Sequence, residues 1–142
     1  MQETPVTLDI LLDATPTAVW KAWTDHALIL KWFGSDPGGR GLKASLDVRP
    51  GGRFAVTFQD SDEEEHTCFG VYREVREEQA LVFSWEWVSE PGVESLVTVT
   101  LTPENGGTLM HFEHRDVGEA SEHDYLYGWK QTFNKLELLL RL

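Results

Sequence analysis

Between positions 42 and 115 the apolar residues recur at every second place, and from Tyr125 onward they recur at every third or fourth. This change of period constrains the fold more than any other feature. A period of two lines one face of a strand, whereas spacings of three and four line one face of a helix. A chain that passes through a run of strands and then ends in one amphipathic helix does not build parallel βαβ units. It must bury that helix against one face of a largely antiparallel sheet.

The elements follow from local signals. Val6, Leu8, Ile10 and Leu12 alternate with mostly polar neighbours and predict a first strand. Thr15-Pro16 offers an N-cap hydroxyl and a proline at the first helical position, and Val19, Trp20, Ala22 and Trp23 give that helix a buried stripe. Thr24-Asp25 caps a second short helix carrying Leu28, Ile29 and Trp32. Residues 34–41 hold four glycines and one proline, which predicts a loop. Leu42, Ala44, Leu46 and Val48 form the next alternating set, and Phe54, Val56 and Phe58 follow the turn Pro50-Gly51-Gly52. Further strands are predicted at 66–75, 81–88, 97–102 and 108–115, with Asn105-Gly106-Gly107 as a hairpin signal. The acidic stretch 60–65 reads as a solvated hairpin tip. Ser121, with Asp124 three residues on, is the predicted start of the final helix. Its buried face is Tyr125, Leu126, Trp129, Phe133, Leu136 and Leu140.

The predicted fold class is therefore α+β. A curved antiparallel sheet wraps around a long C-terminal helix, with two short helices after the first strand. Residues 1–142 are read as one domain, long enough to bury a core without disulfides or metals. The one cysteine, Cys68, permits no intrachain disulfide and carries no local signature of a nucleophile.

Charge narrows the function classes. With 24 acidic and 12 basic residues the net charge is −12, which opposes binding to phosphate backbones and anionic membranes. The start of the chain is not a basic segment leading into an apolar one, and no apolar run approaches the ~20 residues of a membrane span. No nucleic-acid partner, no membrane insertion and a cytoplasmic location are the resulting expectations. There is no Ser-His-Asp arrangement, phosphate loop or dinucleotide fingerprint, so no cofactor is expected.

The order of elements and their motifs resemble the START-like, or Bet v 1-like, helix-grip superfamily (SRPBCC). Within it they are similar to the AHSA1 family, named after the activator of the Hsp90 ATPase homologue 1. The stretch from Ala14 through Pro16, Trp20, Trp23 and Asp25 carries the resemblance, with Lys31-Trp32-Phe33 after it. So do Pro50-Gly51-Gly52-Arg53-Phe54, Gly70-Val71-Tyr72, Leu81-Val82-Phe83-Ser84-Trp85, Gly107-Thr108, His114 and Gly128-Trp129. The resemblance spans essentially the whole chain. It implies an incomplete sheet around the last helix with a cavity between them. Relatives include lipid and hormone carriers, polyketide cyclases and cochaperone domains.

Strand parity then selects candidate pocket residues. Phe54 and Phe58, Phe83 and Trp85, and Met110, Phe112 and His114 are predicted to face Tyr125, Trp129 and Phe133 on the helix. Trp32 and Phe33 precede the glycine-rich stretch Gly38-Gly39-Arg40-Gly41, a candidate flap, and the resemblance places this region at the entrance. Ordinary packing of the short helices is the competing reading of both. A mostly apolar set with a few polar heads is the make-up of a ligand site, and also of a filled core. His114 is the one candidate for a polar anchor or a general acid–base group, against a buried histidine satisfied by its own hydrogen bonds. His111 and Glu113 fall on the outer face, and with His66 they show no ligand spacing for a metal.

The leading expectation is a binding domain for a hydrophobic small molecule or lipid. A cochaperone-like domain with a protein partner and a cyclase or hydrolase acting on a hydrophobic substrate are the alternatives. Monomer and homodimer both remain open.

Overall fold

Alternating apolar residues interrupted by turn-forming ones produce a meander of hairpins. The computed structural model describes residues 5–115 and 125–141. Strand β1 (Val6–Leu12) leads into helices α1 (Pro16–Thr24) and α2 (His26–Ile29). Six strands come next: β2 (Arg40–Leu46), β3 (Arg53–Gln59), β4 (Glu65–Arg76), β5 (Ala80–Trp87), β6 (Ser95–Glu104) and β7 (Gly107–Arg115). Helix α3 (Tyr125–Leu140) is the last of these elements. The strands form one antiparallel sheet in the order β1-β7-β6-β5-β4-β3-β2. Strands β1 and β2 are thus opposite edges, and the two short helices carry the chain from one edge to the other. This is the helix-grip architecture.

Local chemistry sets the ends of the elements. The Thr15 hydroxyl accepts from Ala18 N at 3.2 Å, and Asp25 accepts from Ala27 N at 2.8 Å and Leu28 N at 3.1 Å. These bonds satisfy N–H groups that a helix start leaves without partners. Asn105 and Gly106 have φ of 50° and 82°, the left-handed pair of a two-residue hairpin, and they join Glu104 directly to Gly107.

The core lies on the concave face. Phe54, Val56 and Phe58, then Leu81, Phe83, Trp85 and Trp87, are buried in alternation. So are Val97, Val99 and Leu101, and Thr108, Met110, Phe112 and His114. Tyr125, Trp129, Phe133 and Leu136 of α3 pack against them. Trp23 is the hub, with its ring within 6.5 Å of Trp32, Phe83, Phe112, Trp129 and Phe133.

Three sequence expectations are corrected. Leu126 is 43% exposed, because the stripe of 125, 129, 133 and 136 leaves it on the flank of the helix. Leu42 is exposed as well. The β2–β3 register shifts between Gly41 and Lys43, so Leu42 is an extra residue and leaves the inward set. The predicted loop is also shorter than 34–41, since Arg40 and Gly41 already pair with Gln59 and Phe58. Gly41 is required there: a Cβ would lie 2.4 Å from the Leu30 carbonyl oxygen. The predicted capping pair Ser121 and Asp124 lies outside the described residues.

Candidate ligand recess

At its first turns α3 presents Gly128 and Thr132 to the sheet instead of large side chains. A recess of about 270 Å³ opens there, between the start of α3, the end of α2 and the far ends of β3, β4 and β5. Its walls are the rings of Phe33, Phe58, Trp85, Trp87, Tyr125 and Trp129. Trp85 sits edge-on to Trp87 at 5.2 Å and contacts Trp129 at 5.2 Å. The Trp87 indole donates to the Tyr125 hydroxyl at 2.8 Å, which ties β5 to the first turn of α3.

The rim is polar and acidic. His66 Nε2 and Asp60 Oδ2 are 2.7 Å apart, and the imidazole stands between Phe58 and Trp87. Their shared position follows from register, because Phe58 pairs with His66 where β3 and β4 meet. Close by, Asp36 accepts from Ser61 N at 2.7 Å, from Ser61 Oγ at 2.8 Å and from Gly38 N at 2.9 Å. The Ser61 and Gly38 backbone N–H groups hold its carboxyl below the usual range. These bonds also fasten the glycine-rich segment to the β3–β4 tip, where a free flap was the sequence expectation. Lys135 Nζ donates to the Asp36 carbonyl at 3.1 Å. Burial lowers the pKa of this ammonium, and the Asp36 and Asp60 carboxylates act against that shift.

His114 lies beneath the recess, not in its wall. It is fully buried, accepts at Nδ1 from Trp129 Nε1 at 2.9 Å, and meets Ser95 Oγ through Nε2 at 2.6 Å. Both ring nitrogens are engaged inside the protein. Burial pushes its pKa down to about 3, so the ring is neutral at physiological pH. It therefore offers neither a lone pair nor a proton to a bound molecule. At the rim, His66 borders the recess with Asp60 as its carboxylate partner.

The other sequence-derived candidates divide in two. Phe33, Phe58, Trp85, Tyr125 and Trp129 meet around the recess. Trp32, Met110, Phe112 and Phe133 are buried in the packed core, and Phe54 and Phe83 border a crevice of only about 10 Å³. Trp32 is held there by its indole N–H, which donates to the Ala22 carbonyl at 3.0 Å. The sequence reading did not nominate Asp60, His66, Tyr127, Gly128 and Thr132. Inward parity on β5 was a signal for Trp87, and the smallness of Gly128 amid large apolar residues was a signal for a gap.

Asp60, Glu64 and His66 each place one ligand atom within 4.8 Å of the others, a spacing that could hold a cation. Glu64 is exposed and the other two are already bonded to each other. His111, on the outer face, bonds Asp9 through Nδ1 at 2.5 Å. The Cys68 thiol is fully buried and burial raises its pKa strongly, which makes it inert. Among the described residues no helix is long and apolar enough to cross a membrane.

A helix-grip sheet with a gap beside α3 invites comparison with known proteins. Residues 13–141 match the model of the family described as activator of Hsp90 ATPase homolog 1-like protein. The chain belongs to this family. Solved structures agree on the fold of this AHSA1-like chain. A Chromobacterium violaceum protein is 24% identical, with 97% of each chain covered and a TM-score of 0.85. A Rhizobium leguminosarum protein is 25% identical over 97% of this chain and 94% of that one, with a TM-score of 0.81. An AHSA1-like protein from Aeromonas hydrophila is 19% identical, covers 97% and 92%, and has a TM-score of 0.82. No curated protein matches the sequence.

Proposed function

We propose that this AHSA1-like chain binds a small hydrophobic molecule in the recess beside α3. One observation carries the reading: seven Phe, Tyr and Trp residues line an open volume of about 270 Å³, next to a core that is otherwise filled. Proteins pack their interiors closely, and a gap of this size forfeits contact energy unless something occupies it. The volume is at the small end of ligand sites, which run from roughly 300 to 1,000 Å³. A one- or two-ring compound fits this volume better than a full lipid.

The test is titration with the neutral probe 2-naphthalenemethanol, read by tryptophan fluorescence and calorimetry. Saturable one-to-one binding that Gly128→Leu abolishes is the expected result. Absence of binding to the folded wild-type protein sinks the proposal. The family description also raises a protein partner, so a bacterial Hsp90 ATPase is the control. An unchanged rate accords with the ligand reading, whereas stimulation at saturating protein would move the function to protein interaction.

A further inference from the structure

The rim and walls of the recess bear on the chemistry of its ligand, provided that the recess is a binding site as proposed above. Asp60, His66 and Thr132 supply acceptors to it, alongside the hydroxyls of Ser35, Tyr125 and Tyr127. Asp60 is a carboxylate and only accepts. Because that oxygen faces His66 Nε2, this nitrogen carries a proton, and in the neutral tautomer Nδ1 is left to accept. Thr132 commits its hydroxyl proton to the Gly128 carbonyl at 2.8 Å, so its oxygen too is left to accept. Among the described residues Trp85 Nε1 has no hydrogen-bond partner, but the atom is itself covered, so it presents no donor to the open space. A ligand that complements this surface donates hydrogen bonds.

Charge refines the choice between a neutral and a cationic donor. Five of the six residues 60–65 are acidic, and Asp36 is held ionised beside them by Ser61 and Gly38. Lys135 supplies one opposing charge, and its Nζ is bonded to the Asp36 carbonyl. The balance at the rim is negative, in a protein whose net charge is −12. A carboxylate ligand meets repulsion there. A cation meets attraction from Asp60 and from any ring face it reaches on a wall made of Phe58, Trp85, Trp87, Tyr125 and Trp129. Aromatic walls of this kind stabilise desolvated ammonium groups through the ring quadrupole.

We propose that the recess takes a hydrophobic molecule bearing a protonated amine, with its rings among Trp85, Trp87 and Trp129 and its ammonium at Asp60. The test uses three probes with one ring system: 2-naphthylmethylammonium, 2-naphthalenemethanol and 2-naphthoate. Each is titrated calorimetrically into the full chain at pH 7 and low ionic strength. The ammonium is expected to bind roughly tenfold tighter than the alcohol, with the carboxylate weakest. Asp60→Asn should remove the ammonium's advantage, so that the ratio of ammonium to alcohol affinity falls from roughly tenfold to about one. If that variant fails to fold, added salt on the wild type gives the same reading, weakening the ammonium and sparing the alcohol. Equal affinities, or a preference for the alcohol or the carboxylate, overturn the inference while leaving the recess as an apolar site. Failure of all three probes to bind removes the reading on which it rests, and the inference with it.

Discussion

Trp129 donates its indole N–H to His114 Nδ1 at 2.9 Å, and this one bond determines the state of the buried imidazole. With Nδ1 accepting, the ring proton must sit on Nε2, which faces Ser95 Oγ at 2.6 Å. The serine hydroxyl in turn donates to the Trp85 carbonyl at 3.4 Å. A single polar chain thus links α3, β7, β6 and β5 through an apolar core. Its members have no access to water, so each depends on the next.

Trp129→Phe tests that dependence. Much of the ring volume is kept and the donor is lost, which leaves His114 Nδ1 buried without a partner. The expected cost is about 1–3 kcal/mol of unfolding free energy, measured by urea denaturation. Ser95→Ala, which removes the partner of Nε2, should fall in the same range. An unchanged midpoint in either variant would mean that the chain contributes nothing to stability.

The protonation of His114 gives a pH dependence with a definite sign. Its folded pKa is about 3 against 6.5 for the unfolded chain, so the unfolded state binds the extra proton between those values. The stability held by the neutral ring is present in full above pH 6.5 and is lost as pH falls toward 3. Near pH 5.5 the slope from this group approaches roughly 1.4 kcal/mol per pH unit. Urea midpoints between pH 7 and 5 should fall accordingly, and His114→Gln should flatten the fall. In NMR spectra the His114 ring should show no titration step above pH 5. A midpoint near 6.5 would contradict its buried, bonded state.

Gly70 has no room for a side chain between β4 and β5. A Cβ there would lie 2.0 Å from the Ser84 carbonyl oxygen and 2.9 Å from the Phe54 ring. Ser84 also accepts from Val71 N at 2.9 Å, so its backbone cannot withdraw without breaking that bond. Gly70→Ala should therefore cost more than the ~1–3 kcal/mol of ordinary overpacking. Thermal melting checks this. A loss below about 1 kcal/mol would show that β4 and β5 can separate freely at this point.

The sheet and its inward faces were legible because period two is a local signal and every strand repeats it. Phe83, Trp85, Phe112 and Trp129 could be placed in the interior without knowing which strands pair. Bulges and recess were not legible, for physical reasons. The shift at Gly41/Lys43 that turns Leu42 outward arises from pairing between strands, which a single strand's pattern does not encode. Asp60 and His66 belong to a hairpin whose tip looked merely solvated, and register with Phe58 is what brings them to the rim. His114 was correctly inward, yet inward positions include both the wall of a recess and the layer behind it. Only the Trp129 and Ser95 bonds separate these cases.

Gly128 opposes stability to binding. It lies inside α3, where glycine costs up to about 1 kcal/mol relative to alanine. Among the described residues, a Cβ there would meet only the Ser35 Cβ, at 3.7 Å, an ordinary contact. Gly128→Ala should therefore raise the unfolding free energy by up to about 1 kcal/mol, with no strain to offset it. The same methyl group enters the recess, so affinity for 2-naphthalenemethanol should drop by a few-fold. Gly128→Leu should remove binding and keep a folded protein, because the added carbons fill existing space. Melting temperature and probe affinity measured on the same three proteins give the comparison. If the leucine variant bound the probe as tightly as wild type, the ligand would have to lie outside this recess.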